Sequence, residues 1–330
     1  MVTVYTTSPA TSRLDPAAAR RRILQVAEWT EAAGWRGLLV YNDNSLPDPW
    51  AVAQIMIEHT ETIAPLVAIN PVYSHPFTAA RSISTLARLY GRGIDVNLVV
   101  GGFDRYLRQL GCDLEHDARY ARLAEFGAVL GRLLTSPRPV SHSGQYYQLS
   151  GVTLSPVMPT TINSRIFVSG TSEACARVGR ALGAVRLAYP HATRSYSPGG
   201  LEGTGIRLGL IPRDASDEAW RIAHQRFPVD RRGEKVHKWA ATHVESAWHR
   251  TLSQAALASS QPLDTYWLYP FRAYKTFCPY LIGTYQEVSD TLRRYFSLGV
   301  STVILDEPTD EDDVHHAAKA LTLAKRNDSV

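Results

Sequence analysis

The run Arg165-Ile166-Phe167-Val168-Ser169-Gly170-Thr171-Ser172-Glu173 has the form of a strand, a tight turn and a helix start. Gly170 permits a close main-chain approach, and N–H groups near Thr171 and Ser172 point from the helix start toward an anion. Ser169, Thr171 and Ser172 add hydroxyl donors, the pattern expected of a phosphate site. An ordinary Ser/Thr cap with Glu173 in the first turn uses the same residues. The Gly-Lys-Ser/Thr ending of a P-loop is absent. A second glycine-bearing strand end, Asn97-Leu98-Val99-Val100-Gly101-Gly102, either admits a planar ligand or serves only a turn. Tyr120, at a helix beginning, offers a phenolic O–H to a phosphate or packs in a groove.

Fewer residues suggest proton chemistry. Asp48 is a candidate base or substrate orienter, with Tyr41 and Asn42 on the same loop, and it is equally placed to cap a helix before Pro49. His75 precedes Pro76 at another strand end, where a polar cleft would tune its proton affinity or where it caps a helix. Tyr189, Pro190 and His191 follow a further strand and are candidates for a substrate mouth or a structural turn. His237, His243 and His249 are six apart, so one ordinary helix would spread them by steps of about 120°. Surface histidines are expected there, and no metal site. Trp239, Trp248 and the run Trp267-Leu268-Tyr269-Pro270-Phe271 supply apolar area for a lid, a substrate wall, a subunit contact or plain packing.

The elements that must position these residues alternate in the manner of βα units with a parallel sheet. Strands are expected at 2–6, 37–41, 62–68, 94–99, 165–168, 185–188, 206–211 and 302–306. Helices are expected at 16–33, 49–58, 76–90, 118–134, 286–297 and 310–325, with a cap at Asp214 or Ser216 and further helix within 235–259. Eight strands and their helices fit a TIM (β/α)8 barrel in one domain of 330 residues, with inserted or peripheral segments near 136–163 and 227–282.

Composition narrows the class. With 45% hydrophobic, 20% charged and 9% aromatic residues the chain reads as globular, not disordered. A net charge of +4, from 35 Lys+Arg against 31 Asp+Glu, is too small to demand a nucleic-acid partner. Three cysteines without a paired motif argue against a disulfide framework and for a reducing, cytoplasmic setting. Neither a leader nor a membrane span is expected. Apolar stripes around Trp29 and Ile55-Met56 suggest a homodimer or ordinary barrel packing.

The succession of motifs resembles the bacterial-luciferase-like flavin-dependent monooxygenases, nearest to their alkanesulfonate monooxygenase branch. It runs through Gly34-Trp35-Arg36-Gly37, Asp48-Pro49-Trp50, Ala68-Ile69-Asn70-Pro71, Pro76 to Arg81, Leu86 to Arg92, Asn97 to Gly102 and His116 to Tyr120. It continues through Ser143 to Tyr147, Ser169 to Glu173, Ile206-Arg207-Leu208 and Gly283 to Ile304. The resemblance implies a luciferase-like barrel that binds reduced flavin mononucleotide (FMN), supplied by a separate NAD(P)H:flavin reductase, and uses O2 as co-substrate. Tyr120, Ser169, Gly170, Thr171 and Ser172 match positions that hold the flavin phosphate. Asn97, Val99 and Gly101 match the flavin-contacting strand end, and the ring system would face Ala68 and the Tyr41 loop.

The chain departs from the branch at three places. Leu46 stands where the branch has a cysteine, Gly209 where it has a histidine beside Arg207, and Thr7-Ser8-Pro9 where it has an early histidine. Arg207 is retained as a candidate for an anionic group, but losing those polar neighbours argues against sulfonate cleavage. The resemblance therefore implies a two-component monooxygenase acting on a small organic or natural-product biosynthetic intermediate. Asp48, Tyr41 and His75 are its candidate catalytic residues, and Asn42, Leu46, Tyr189, Arg207 and Trp267 its candidate substrate contacts. The rivals are a deazaflavin-dependent barrel oxidoreductase and a non-catalytic flavin-binding protein.

Overall fold

The computed structural model describes residues 2–102, 104–241, 247–258 and 262–325. The chain opens with β1 (Thr3–Thr7), α1 (Pro16–Ala32), β2 (Gly37–Val40), α2 (Pro49–Glu58), β3 (Ala64–Ile69), α3 (Pro76–Tyr90), β4 (Asp95–Leu98), α4 (Asp104–Gln109) and α5 (His116–Thr135). A hairpin of β5 (Val140–Ser143) and β6 (Gln148–Val152) precedes β7 (Ile166–Ser169), α6 (Glu173–Leu182) and β8 (Val185–Ala188). There follow β9 (Thr204–Arg213), α7 (Ser216–Arg226), α8 (Arg231–Ala241), α9 (Ala247–Ala258), β10 (Tyr266–Trp267) and α10 (Tyr269–Arg272). The last elements are β11 (Tyr280–Thr284), α11 (Tyr285–Ser297), β12 (Thr302–Leu305) and α12 (Glu311–Lys325).

Among the described residues, the eight parallel strands β1, β2, β3, β4, β7, β8, β9 and β12, with their surrounding helices, form a (β/α)8 barrel core. These are the eight strands that the apolar runs predict. The chain divides into two compact units, Met1–Thr7 with Ala32–Arg36 and Leu187–Val330, and Ser8–Glu31 with Gly37–Arg186.

In the second unit β2, β3, β4 and β7 pair in parallel in that order, with Ala68 beside Asn97 and Asn97 beside Phe167. Their buried side chains meet the stripe of α5, where Leu123, Phe126, Val129 and Leu130 are all fully buried. Each such side chain contributes roughly 1.5–3 kcal/mol of transfer free energy. Met56, on a stripe read as either a dimer contact or ordinary barrel packing, lies at 0% exposure in a cluster with Ile23, Val26 and Leu38, against which Trp29 and Ile55 also pack. The glycine-rich text after α5 is the β5–β6 hairpin. A Cβ on Gly144 would come 2.0 Å from Glu125 Oε1, and that carboxylate accepts the N–H groups of Tyr146 and Tyr147.

In the first unit β12 pairs in parallel with both β1 and β9, and β11 runs parallel to the far half of β9 with β10 antiparallel on it. The sequence reading missed β10 and β11, because Pro279 and Gly283 flank a run too short to read as a strand. The cap expected at Asp214 or Ser216 is not made. Ser216 is the first helical residue of α7 and Ala215 holds the cap position without a side-chain bond, while Asp214 faces Lys319 at 3.4 Å. Among the described residues no helix is long and apolar enough to cross a membrane.

Helix within 235–259 resolves into α8 and α9, which changes the fate of its histidines. His237 and His249 sit on different helices, buried at 0% and 1% exposure, with stacked rings 5.6 Å apart between centroids. They are core residues, not the surface ones expected, because the two helices pack these faces on Phe271. His243 lies outside the described residues. Burial pushes both imidazoles down, His249 to about 4, and the charge of Arg272 adds to the effect on His237.

Both folded values therefore lie below the ordinary 6.5, and the fold holds the neutral rings. The stability this pair contributes is full above that value and is lost as pH falls toward about 4. Thermal melts across that window are expected to decline in the wild type and to flatten in the double variant His237→Gln/His249→Gln. Parallel curves for the two proteins would show that the pair does not titrate on unfolding.

Candidate active site

The turn from β7 into α6 is built around an absent side chain. Gly170 has φ +142°, and a Cβ there would come 2.3 Å from the Tyr120 hydroxyl. Only glycine lets that phenol lie over the turn, where it donates to the Ser169 carbonyl at 3.1 Å. Ser172 caps α6 by accepting the Cys175 N–H at 3.2 Å. One of the four N–H groups that a helix start leaves without an internal partner is thus satisfied, and the positive helix end favours an anion at the others.

Ser169 and Ser172 are part-exposed and Thr171 is exposed. Tyr120 is 5% exposed, and burial raises its pKa well beyond the phenolic range, so it stays a neutral donor. Burial likewise pushes the Cys175 thiol, behind the turn, up to about 11.

The neighbouring strand ends join this turn. Ser169 Oγ donates to Asn97 Oδ1 at 2.9 Å, which leaves the Asn97 amino group as the donor. Ala68 and Asn97 are cross-strand neighbours, each 4% exposed, and the Val99 N–H donates to the Ile69 carbonyl at 2.9 Å. Gly101 takes φ +83°, and a Cβ there would press on Leu107 and the Asn70 side chain. The second unit therefore gathers Ala68, Asn97, Val99, Gly101, Tyr120 and Ser169 to Ser172 along the ends of β3, β4 and β7.

The proposed proton-handling residues of that unit have structural work as well. Asp48 caps α2, its Oδ1 accepting from Trp50 and Ala51 at 2.9 and 3.1 Å, and Oδ2 is not used in the cap. His75 caps α3, its Nδ1 accepting from Phe77 at 3.1 Å, so a neutral ring carries its proton on Nε2. The His75 ring stands edge-on to Tyr147 of the hairpin at 5.4 Å. Tyr41, Asn42 and Leu46 lie on the part-buried loop that follows β2.

The first unit holds a polar cluster that sequence reading only partly found. Arg207 on β9 pairs with Asp306, just beyond β12, at 2.5 Å, and its other amino group donates to the Tyr189 hydroxyl at 3.2 Å. The second Asp306 oxygen accepts from Thr276 at 2.6 Å and Tyr280 at 2.9 Å. Asp306, Tyr280 and Thr276 were not anticipated, since only the register of β11 and β12 on β9 brings them together. Gly209 makes this possible, being paired with Tyr280. A Cβ on Gly209 would fall 2.3 Å from the Tyr280 ring, so the phenol occupies the space a side chain would fill and reaches the carboxylate.

Burial works to raise the Asp306 pKa, but the Arg207 charge and the two hydroxyls outweigh it and hold the carboxylate below its usual range. Arg207 is thereby charge-balanced in place. Tyr189 stacks on Trp248 of α9 with centroids 3.9 Å apart. Trp267 is 5% exposed, set edge-on to Trp220 of α7 and stacked on Tyr269. It also lines a cleft with His191, Tyr266, Leu268 and Arg272. Among the described residues no group of three or more His, Cys, Asp or Glu side chains is placed to hold a metal.

Tyr280→Phe keeps the ring but leaves a buried charged acceptor short of one donor. It is expected to cost about 1.5–3 kcal/mol in urea denaturation. Gly209→Ala displaces the whole ring and should cost more than Tyr280→Phe. The reverse order would discard the reading that Gly209 exists to seat Tyr280.

The family model described as luciferase-like monooxygenase matches residues 1–302. The chain is 34% identical over 304 residues, 90% of its length and 89% of the relative's, to the 4-(gamma-L-glutamylamino)butanoyl-[BtrI acyl-carrier protein] monooxygenase BtrO of Niallia circulans. Among solved structures it resembles the EDTA monooxygenase EmoA of Chelativorans sp. BNC1, with TM-score 0.74 and 15% identity over 98% of this chain and 94% of that one. It also resembles an F420-dependent secondary alcohol dehydrogenase bound to an F420-acetone adduct, with TM-score 0.66 and 15% identity over 98% of this chain and 100% of that one. At that identity the structural likenesses speak for the fold alone, and the sequence matches decide the rest: the chain belongs to the luciferase-like monooxygenase family.

Proposed function

We propose that this protein is a two-component monooxygenase that uses reduced FMN and O2 to oxygenate a natural-product intermediate carried as an acyl group on an acyl-carrier protein. The Gly170 turn under Tyr120 carries the cofactor part of the reading, because its open helix start and ring of hydroxyls fit a phosphate. Tyr120 and Ser169 to Ser172 would hold that phosphate. Asn97 would donate to the ring system, with Ala68, Val99 and Gly101 giving it room. Reduced flavin, when bound, supplies the electrons that let one oxygen atom of O2 enter the substrate while the other leaves as water.

A separate NAD(P)H:flavin reductase is the source of the reduced cofactor, in keeping with the two-component pattern of the family. A homodimer is part of the proposal on the same ground. The carrier-bound substrate follows the relative of 34% identity. Sulfonate cleavage is set aside, because Tyr280 fills the place at Gly209 where the alkanesulfonate branch has a histidine.

The chain's own residues then have limited tasks, since no protein nucleophile is required. Asp48 through Oδ2, His75 through Nε2–H and the Tyr41 phenol are the candidates for holding or moving a proton. Asn42 and Leu46 would shape the substrate wall in their unit, and Tyr189, Arg207 and Trp267 in theirs. The paired Arg207 would act as a hydrogen-bonding wall toward a neutral amide or thioester, not as a bare cation.

Two measurements test this reading. In anaerobic titrations reduced FMN should bind more tightly than reduced riboflavin. Gly170→Ala and Ser172→Ala should weaken FMN by about 1–2 kcal/mol with little change for riboflavin. Equal losses for both flavins would remove the phosphate assignment. Turnover with labelled O2 and an acyl-carrier substrate should give a product retaining one labelled atom by mass spectrometry. Substrate reduction by a reduced deazaflavin without O2 would favour the hydride-transfer rival instead.

A further inference from the structure

The excursion between β9 and β11 presents a surface that neither the barrel nor the cofactor turn explains. Its helix α8 is fixed on one side. The Asp230 N–H donates to the Tyr269 hydroxyl at 2.7 Å, and Asp230 Oδ1 accepts the Gly233 N–H at 2.8 Å. A Cβ on Gly233 would come 2.0 Å from the Ala273 carbonyl, so helix and backbone meet directly there, and His237 and Ala240 bury the rest of that side.

The opposite side exposes Arg231, Lys235 and Lys238 in one stripe and Arg232, Val236 and Trp239 in the next. Positions i, i+4 and i+7 share a helix face, so the two stripes make one patch. Trp239 is 63% exposed and Val236 41%, with Val229 at 80% just ahead of the helix. The acids of this segment turn elsewhere, Asp230 to Lys275 and Glu234 to Arg272 at 3.9 Å. Four cations thus surround an exposed tryptophan, with no carboxylate on the face among the described residues, the composition of an interface centre with a charged rim.

We propose that this outer face of α8 docks an acidic acyl-carrier protein and brings its acyl arm to the cleft of the same unit. The inference rests on the carrier-bound substrate proposed above, and charge complementarity selects the partner. An acidic protein is drawn to four clustered cations, whereas an uncharged small molecule is not. The patch also belongs to the segment that walls the cleft. Arg272, the partner of Glu234, lines it beside Trp267, and α9 places Trp248 on Tyr189. A carrier seated on α8 stands against the elements that enclose its acyl group.

The test uses the full chain with the BtrI acyl-carrier protein in its pantetheinylated form, loaded with the 4-(gamma-L-glutamylamino)butanoyl group, and with the same acyl group on free pantetheine. Wild type should bind the loaded carrier at low ionic strength and lose affinity as salt rises. Lys235→Glu/Lys238→Glu and, separately, Trp239→Ser should raise the carrier's Kd and KM tenfold or more. Both should leave reduced-FMN affinity and acyl-pantetheine turnover unchanged, and Arg20→Glu/Arg21→Glu on α1 should alter nothing. Absence of carrier binding by the wild type, or equal carrier KM in all variants, overturns the docking face even where the acyl group is oxygenated. Carrier binding that depends on α8 with no oxygenation of either acyl compound sinks the substrate reading and leaves the face standing. Should the α8 variants instead change the mass of the chain alone in sedimentation, or should duplex DNA displace the carrier, the face belongs to a second copy or to nucleic acid and the proposal falls.

Discussion

Each parallel strand that hands over to a helix creates a start whose first N–H groups have no partner inside that helix. How the chain answers this need at each strand end decides what remains for a ligand. Asp48 answers it at α2 with one carboxylate oxygen, His75 at α3 with one ring nitrogen, and Thr284 at α11 with a reciprocal capping box to Glu287. At α6 Ser172 answers it by accepting the Cys175 N–H, and Gly170 leaves room for the Tyr120 hydroxyl over the turn. Structure and ligand binding would thus draw on the same stock of donors, and the turn after β7 is where we propose that a phosphate takes its share.

A second economy operates among the strands of the other unit. Gly209 gives up its own side chain so that Tyr280 can cross the strand and hydrogen-bond Asp306. The carboxylate accepts from three donors and neutralises Arg207 without leaving either charge unmatched in the interior. A buried pair of this kind adds little net stability over a hydrophobic packing, yet it ties three strands, β9, β11 and β12, and α9's aromatic partner Tyr189 into one geometry. Breaking any member exposes the others to an uncompensated environment.

Periodicity made the eight barrel strands and most helices legible, because a buried strand is an apolar run and a covering helix repeats its apolar residues every three or four positions. The strand–turn–helix form of Ser169 to Ser172 was legible for the same local reason, since these residues are contiguous. What escaped were contacts that only tertiary register creates. Asp306 looked like the end of a strand, and nothing near it in sequence announces Tyr280 or Thr276. His237 and His249 read as points on one helix, whereas their meeting requires two helices packed on Phe271. The cap expected at Asp214 or Ser216 is absent because the cap position falls between the two: Ala215 holds it and Ser216 is already helical.

The raised pKa of Cys175 bears on how that thiol would meet an oxidant. Peroxide attacks thiolates, not thiols. Burial raises the pKa of Cys175, whose sulfur would lie 3.2 Å from a Cβ on Gly170, to about 11, and lifts Cys278 near the Asp306 cluster well above its ordinary value. Cys112 is buried as well. The packing that shapes the two polar clusters thus also favours the protonated, less reactive form of Cys175 and Cys278, so loosening that packing would open both thiols to oxidation.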